Sequence, residues 1–174
     1  MRWGIMSAVS CRLAFFMGSL GGGGAERVVV TLASHYAAQG HAVDLIVSRR
    51  EDTYLKEVHP EVRIHYLHTR RRMLAAPRLA KALREIRPAA LLATVNTFAA
   101  VLAQRLAHTS TRVILREATT PSMAFQVQET SALKRAISET AMRWLYPRAD
   151  AVVAVSKGVA QDLLNLIPQL KPKL

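Results

Sequence analysis

The chain is poor in cysteine, in aromatic side chains and in acid, and each shortage excludes something. One cysteine in 174 residues, Cys11, rules out an internal disulfide and fits a reducing compartment. Its place at the start of the first apolar run predicts a small buried residue. Aromatic residues make up 6% of the chain and none alternates with the basic residues, so the stacking platform of a single-strand nucleic-acid binder is missing. The six histidines, His35, His41, His59, His65, His68 and His108, are scattered, and no Cys/His pair has zinc spacing. No Gly-x-Ser-x-Gly elbow occurs. Neither a metal nor a resident cofactor is therefore expected.

Long uninterrupted apolar runs are lacking too. Residues 1–20 carry Arg2 and an apolar stretch but no small-residue cleavage site, and a glycine loop follows them. Residues 89–107 are broken by Thr94, Asn96, Thr97, Gln104 and Arg105, which a lipid-facing span of about 20 residues does not tolerate. Two elements joined at Asn96 fit that stretch better.

Twelve acidic residues face 24 basic ones, a net charge of +12. Such a surplus suits an acidic partner: an anionic membrane surface, a phosphorylated substrate or nucleic acid, and of these nucleic acid is not expected. From Arg63 to Arg87, eight basic residues are opposed only by Glu85. Lys134, Arg135, Arg143, Trp144, Tyr146 and Arg148 form a second basic region, in which Trp144 and Tyr146 suit a membrane interface. Arg71, Arg72, Lys81, Arg84, Lys134, Arg135 and Trp144 are thus the candidate membrane contacts. The plainer alternatives are a solvated helix face for the first region and a core-packed helix for the second. The expected location is cytoplasmic, peripheral at the inner face of the cytoplasmic membrane.

Half of the residues are hydrophobic, 51%, enough for one domain with a sizeable core. The apolar patterning alternates between strand and helix. Residues 1–11 read as an extension. Strands are expected over Arg12–Met17, His41–Val47, Val62–Leu67, Ala89–Thr94, Arg112–Leu115 and Ala149–Val155. Helices are expected from Ala25 to Gln39 with Gly40 at its end, from Pro77 to the stop at Pro88, from Asn96 or Thr97 to Ala107, over Ser131–Leu145, and over Lys157–Leu166 behind a Ser156 cap. Val28, Val29, Leu32, Ala33 and Tyr36 are the predicted inner stripe of the first helix, and residues 116–130 a loop broken at Pro121. Strands alternating with helices specify an α/β fold: a Rossmann-like, doubly wound, mainly parallel sheet with helices on both faces and right-handed crossovers.

Gly21, Gly22, Gly23 and Gly24 join the first strand to the first helix. Such a loop lets a ligand approach the backbone, and the helix start behind it suits phosphate or another anion; a plain tight turn is the alternative. The dinucleotide spacing fails, because Glu26 or Arg27 stands where its third glycine belongs. The phosphate-loop pattern fails as well, since no Gly-Lys-Ser/Thr follows. Sheets of this kind bind ligands at the carboxyl ends of their strands. The loops there are Gly21–Gly24, Asn96–Thr97, Arg116–Pro121 and Ser156–Gly158. Arg116 could clamp phosphate, and Glu117 could accept a proton or bind sugar hydroxyls; a structural Arg/Glu pair is the alternative. Asn96 and Ser156 are candidate ligand contacts and, equally, candidate helix caps.

Leu13 to Ala33 with its Gly-Gly-Gly-Gly-Ala-Glu-Arg core, Gln39 to Val47, and Ala149 to Leu163 resemble, in order and spacing, three blocks of the family 4 glycosyltransferases. These are retaining enzymes built from two Rossmann-like domains, the GT-B fold. The resemblance covers residues 12–166 and implies that this is the N-terminal, acceptor-binding half. Residues 167–174 then correspond to the start of the interdomain linker, and the donor-binding half is absent from the sequence. A nucleotide-sugar would be the co-substrate, with a lipid-linked or polysaccharide acceptor and no metal. Carried over by position, Gly22, Gly23 and Gly24 would line the cleft, joined by Asn96, Arg116, Glu117, Thr119 and Ser156 as substrate contacts. Glu117 is the candidate catalytic residue, although many relatives carry a histidine in that region. A half-domain inactive alone, a non-catalytic half that pairs with a separate donor-binding chain or a membrane, and a nucleotide-cofactor Rossmann enzyme are the readings in competition.

Overall fold

The structure is a computed structural model and describes residues 10–69, 74–94, 96–128 and 131–174. Six parallel strands form one sheet: β1 (Arg12–Met17), β2 (Ala42–Val47), β3 (Arg63–Tyr66), β4 (Ala90–Ala93), β5 (Arg112–Glu117) and β6 (Ala151–Ala154). Their order is β3-β2-β1-β4-β5-β6, so the chain winds outward from β1 in both directions. The helices are α1 (Gly24–Ala38), α2 (Ala75–Ile86), α3 (Thr97–Ala107), α4 (Pro121–Gln128), α5 (Ala132–Leu145) and α6 (Lys157–Leu166). The α/β Rossmann-like class read from the pattern is therefore observed.

Alternate residues of each strand face opposite layers. Phe15, Met17, Val43, Leu45 and Val47 pack under α1. Phe16, Ile46, Leu91, Ala93, Val113 and Leu115 pack under α2, α3 and α5. No helix among the described residues is long and apolar enough to cross a membrane.

Several local expectations shift. The buried face of α1 is Val29, Val30, Ala33 and Ala37, while Val28 is exposed. The stripe is rotated from the expected one because a run of three valines leaves its phase open. Gly40, with φ +84°, takes the left-handed turn after α1, as a glycine past a helix end does. Helix α2 begins two residues before Pro77, which stays in the first turn, where its missing N–H costs nothing. Its inner face of Leu79, Leu83 and Ile86 is the expected one. Cys11 is half-buried, beside His41.

The largest difference lies after Leu115. β5 continues through Arg116 and Glu117, which pair with Val153 and Ala154 of β6. Pro121 then starts α4 where a loop was expected. Asp162 of α6 closes the start of α4 by accepting from the Ser122 N–H at 3.0 Å and the Ser122 hydroxyl at 2.6 Å. That partner lies 40 residues downstream, outside any local pattern.

One charged cluster lies inside the sheet. Asp44 on β2 is 1% exposed. Arg63 donates to it at 3.1 Å, His65 Nε2 at 2.8 Å, and the Arg12 guanidinium lies 3.5 Å away. Buried carboxylates persist when cations and hydrogen bonds answer them, and this one ties β1, β2 and β3 together.

Candidate functional site

The carboxyl ends of the strands gather the loops that could hold a ligand. At β1, the glycine loop needs none of its glycines for backbone reasons, since none of the four has a positive φ. A Cβ at Gly22 or Gly24 would meet nothing within 4 Å. A Cβ at Gly23 would strike the Glu26 carboxylate, and one at Gly21 would lie 2.8 Å from Glu51 Oε2. The bare backbone is therefore an open surface flanked by two carboxylates. Glu26, in the first turn of α1, already answers part of the helix's positive end. Beyond Glu51, Arg50 and then the Tyr66 hydroxyl donate to Asp52 and hold its carboxyl below the usual carboxylate range.

At β4, Asn96 occupies the cap position of α3 in a left-handed conformation, φ 58°, and its side chain does not cap the helix. Ser156 does cap its helix, α6, by accepting from the Val159 N–H at 3.2 Å. Thr119 is exposed just past β5.

Arg116 and Glu117 were expected side by side in one loop. As neighbours on a strand they point to opposite faces. Arg116 lies on the α1 side and donates to the Thr94 hydroxyl at 3.2 Å. Glu117 lies on the other side, in the wall of a cavity of about 630 Å³ between β4, β5, α3, α4 and α5. Thr94, Asn96, Thr97, Glu117 and Thr119 make its strand-side wall polar, whereas Phe98, Leu102, Phe125, Met142 and Leu145 make its helix-side wall apolar.

Tyr146, fully buried at the end of α5, donates its hydroxyl to Glu117 Oε1. The same hydroxyl lies 2.9 Å from Thr97 Oγ1. Burial raises the Glu117 carboxyl above its ordinary range, and the Tyr146 bond pulls only partly the other way. Burial, with Glu117 beside it, pushes the Tyr146 hydroxyl well up, so it stays protonated and donating. The arrangement is a largely buried carboxyl hydrogen-bonded to a neutral donor, which holds its proton more tightly than an ordinary glutamate does. Tyr146 had been read as an interface residue. The structure overturns that, because the chain turns at Tyr146–Arg148 and carries the ring inward against Phe98. Its partnership with Glu117 spans 29 residues and has no local signature.

The basic candidates divide. Arg71 and Arg72 lie outside the described residues. Lys81 and Arg84 are exposed on α2; Lys81 is 3.9 Å from Glu85, and Arg84 donates to the Leu106 carbonyl of α3. Lys134 is exposed on α5, Arg135 half-buried, and Trp144 is 53% exposed under the stacked Arg148 guanidinium, 3.8 Å from its ring. Helices α2 and α5 belong to one layer, so Lys81, Arg84, Lys134, Arg135 and Trp144 lie on helices on the same side of the sheet.

Known proteins share this fold. The chain is 30% identical, over 166 residues, to an N-acetylgalactosamine-N,N'-diacetylbacillosaminyl-diphospho-undecaprenol 4-alpha-N-acetylgalactosaminyltransferase of Campylobacter jejuni, covering 88% of the chain and 44% of that protein. Among solved structures, it resembles the apo form of the lipopolysaccharide outer core galactosyltransferase WaaB, with a TM-score of 0.63 at 14% identity over 89% of the chain and 42% of that protein. HepE of Anabaena, solved in complex with UDP-glucose, gives a TM-score of 0.63 at 15% identity over 90% of the chain and 40% of its own length. The chain thus spans less than half the length of each of these relatives, and the structural likenesses show the fold, one half of a GT-B architecture. The model of Glycosyltransferase Family 4 matches residues 22–172. With the parallel sheet, the glycine loop and the cavity at its strand ends, that match shows that the chain belongs to glycosyltransferase family 4.

Proposed function

We propose that this chain is the acceptor-side half of a retaining glycosyltransferase that moves a sugar from a nucleotide-sugar to a lipid-linked or polysaccharide acceptor. The observation that carries this reading is Glu117, a carboxyl of raised proton affinity in the wall of a cavity at the strand ends. Such a group can hold an acceptor hydroxyl and take up its proton. The open backbone of Gly22 and Gly24 leaves room for a phosphate or sugar from the opposite side. Arg116, on the other face of β5, offers its remaining guanidinium donors to the donor phosphates. Asn96, Thr119 and Ser156 border the same edge and are assigned to the substrate surface.

The nucleotide-sugar is held mostly by a donor-binding half of the kind that the relatives carry, and the chain alone is inactive. HepE binds UDP-glucose, and the name of the Campylobacter jejuni relative specifies a diphospho-undecaprenol acceptor; both support the substrate classes. No metal or resident cofactor takes part in this scheme. The shared layer of Lys81, Arg84, Lys134, Arg135 and Trp144 supports peripheral docking on an anionic membrane, at the inner face of the cytoplasmic membrane.

The test is a donor screen with the chain joined to its donor-binding half, using UDP-sugars and acceptors on a polyprenyl diphosphate. Transfer with retained anomeric configuration, reduced by a factor of about 100 or more in Glu117→Gln, is expected from the size of general acid–base contributions. Absence of transfer from every nucleotide-sugar tried would remove the reading.

A further inference from the structure

Helix α5 carries an apolar row that begins on the surface and ends in the cavity. Leu133, Ile137, Ala141 and Leu145 recur every four residues and so stack along one side of the helix. Leu133 is 71% exposed and Ile137 60%, yet Ala141 and Leu145 line the cavity and Leu145 is 4% exposed. A surface helix of a soluble domain ordinarily places polar residues where Leu133 and Ile137 stand. Of the twelve large hydrophobic residues exposed among the described ones, six lie on α3, α4 and α5. Half of this apolar exposure therefore lies on the three helices that line the cavity.

The cavity is built with two unlike ends. Its polar groups gather at the strand ends, where Glu117, Tyr146 and Thr97 satisfy one another. Its helix side is apolar and widened by small residues, with Ala99, Ala124 and Ala141 facing it from three different helices. About 630 Å³ lies well within the range of roughly 300–1,000 Å³ that small-molecule sites occupy. The exposed end of the α5 row is basic: Lys134 and Arg135 follow Leu133, and Arg135 Nε is buried without a hydrogen-bond partner among the described residues.

We propose that the cavity's apolar side and the α5 row form one binding track for the hydrocarbon chain of an amphipathic, anionic acceptor. The chain's head-proximal carbons lie against Leu145 and Ala141. The rest passes over Ile137 and Leu133 toward a lipid phase, whose anionic surface meets Lys134 and Arg135. The track rests on the reading given above for one point only, that the acceptor's polar end lies toward Glu117.

The test is calorimetric titration of the full chain with dimethylallyl, geranyl and farnesyl phosphate below their aggregation concentrations, with inorganic phosphate as the control. Burial of each methylene contributes about fourfold in affinity, so even partial burial gives at least about tenfold for every five carbons added. Ile137→Asp alters an exposed position and leaves the thermal midpoint unchanged. It is expected to weaken farnesyl phosphate about tenfold and to leave dimethylallyl phosphate as it was. Ala141→Trp, which fills the cavity, abolishes the chain-length dependence. Equal affinity for all three phosphates and for inorganic phosphate would overturn the track. So would binding to anionic vesicles with no dependence on chain length in solution, which marks surface adsorption only. Chain-length dependence without sugar transfer removes the transferase reading and leaves the track; transfer to water-soluble saccharides without that dependence does the reverse.

Discussion

Two carboxylates sit inside this domain, and their neighbours give them different work. Asp44, in the middle of β2, is surrounded by Arg12, Arg63 and His65. Glu117, at the far end of β5, has Tyr146, a neutral donor, as its hydrogen-bond partner and an apolar cavity in front of it. A buried carboxylate answered by two guanidinium groups and an imidazole N–H has its hydrogen bonds satisfied and fastens strands together. A carboxyl facing a cavity, answered by a hydroxyl, keeps its proton easily and has an approach path for a ligand. Position along the strand decides which outcome occurs: the middle of a strand is closed by its neighbours, whereas a carboxyl-terminal end opens into the loops.

The widest separation of the two should appear in stability. Asp44→Asn removes the charge that Arg12 and Arg63 face and that His65 hydrogen-bonds, and we expect a loss of about 3 kcal/mol in denaturant unfolding. That is the low end of the cost of breaking a buried ion pair, because the partners are 38–50% exposed at their side chains and can reach water. Glu117→Gln keeps the shape and an acceptor for Tyr146, and its stability should lie within about 0.5 kcal/mol of the parent. A Glu117→Gln protein as damaged as Asp44→Asn would make Glu117 a structural anchor and end the contrast.

Tyr146→Phe tests the other side of the pair. It leaves Thr97 and Glu117 short of a partner in a largely buried setting, at a cost of about 1–3 kcal/mol. The lost hydrogen bond had been lowering the Glu117 proton affinity, so the substitution raises it further. An NMR titration of the Glu117 carboxyl carbon should show its midpoint move upward, and a downward move would contradict the assigned pairing.

The pH dependence of stability follows from the same shift. The folded-state Glu117 binds its proton more tightly than in the unfolded chain. Between the ordinary glutamate range and its raised folded value, the unfolded state therefore holds fewer protons. Unfolding free energy falls as pH rises through that window and levels off above it. Glu117→Gln should remove this decline, visible as a flatter profile of thermal midpoint against pH. An unchanged profile would place the burial effect elsewhere.

The sheet was readable from the sequence because its strands are apolar runs between punctuating residues. Gly40, Pro88 and Ser156 mark real boundaries, and all three act through chemistry local to a few residues. What was not readable depends on distant partners. The valine run in α1 left its rotation open by one position. Arg116 and Glu117, as polar residues after an apolar run, read as a loop, yet pairing with β6 extends the strand through both. The strand ends, where the cavity lies, were legible as the place for a candidate site, but the inner geometry was not, since Tyr146 meets Glu117 through a turn that nothing local encodes. Asp44 passed as one polar residue in an apolar strand, because its three partners sit on two other strands, Arg12 on β1 and Arg63 and His65 on β3.

The smallest expected effect probes how evenly the Asp44 cluster shares its charge. Arg63 donates to Asp44 at 3.1 Å, but half of its side chain is exposed, and Arg12 and His65 remain when it is removed. Arg63→Gln keeps a donor of similar reach and loses an ion pair that water already screens, so about 0.5–1 kcal/mol is expected. Raising salt to about 1 M, where the screening length shrinks to roughly 3 Å, should narrow the difference between parent and variant further. If Arg63→Gln instead costs as much as Asp44→Asn, and salt does not narrow the gap, the cluster is one specific pair with two bystanders. The contrast with Glu117 would then lie in a single partner, cation against hydroxyl, rather than in a whole surrounding of charge.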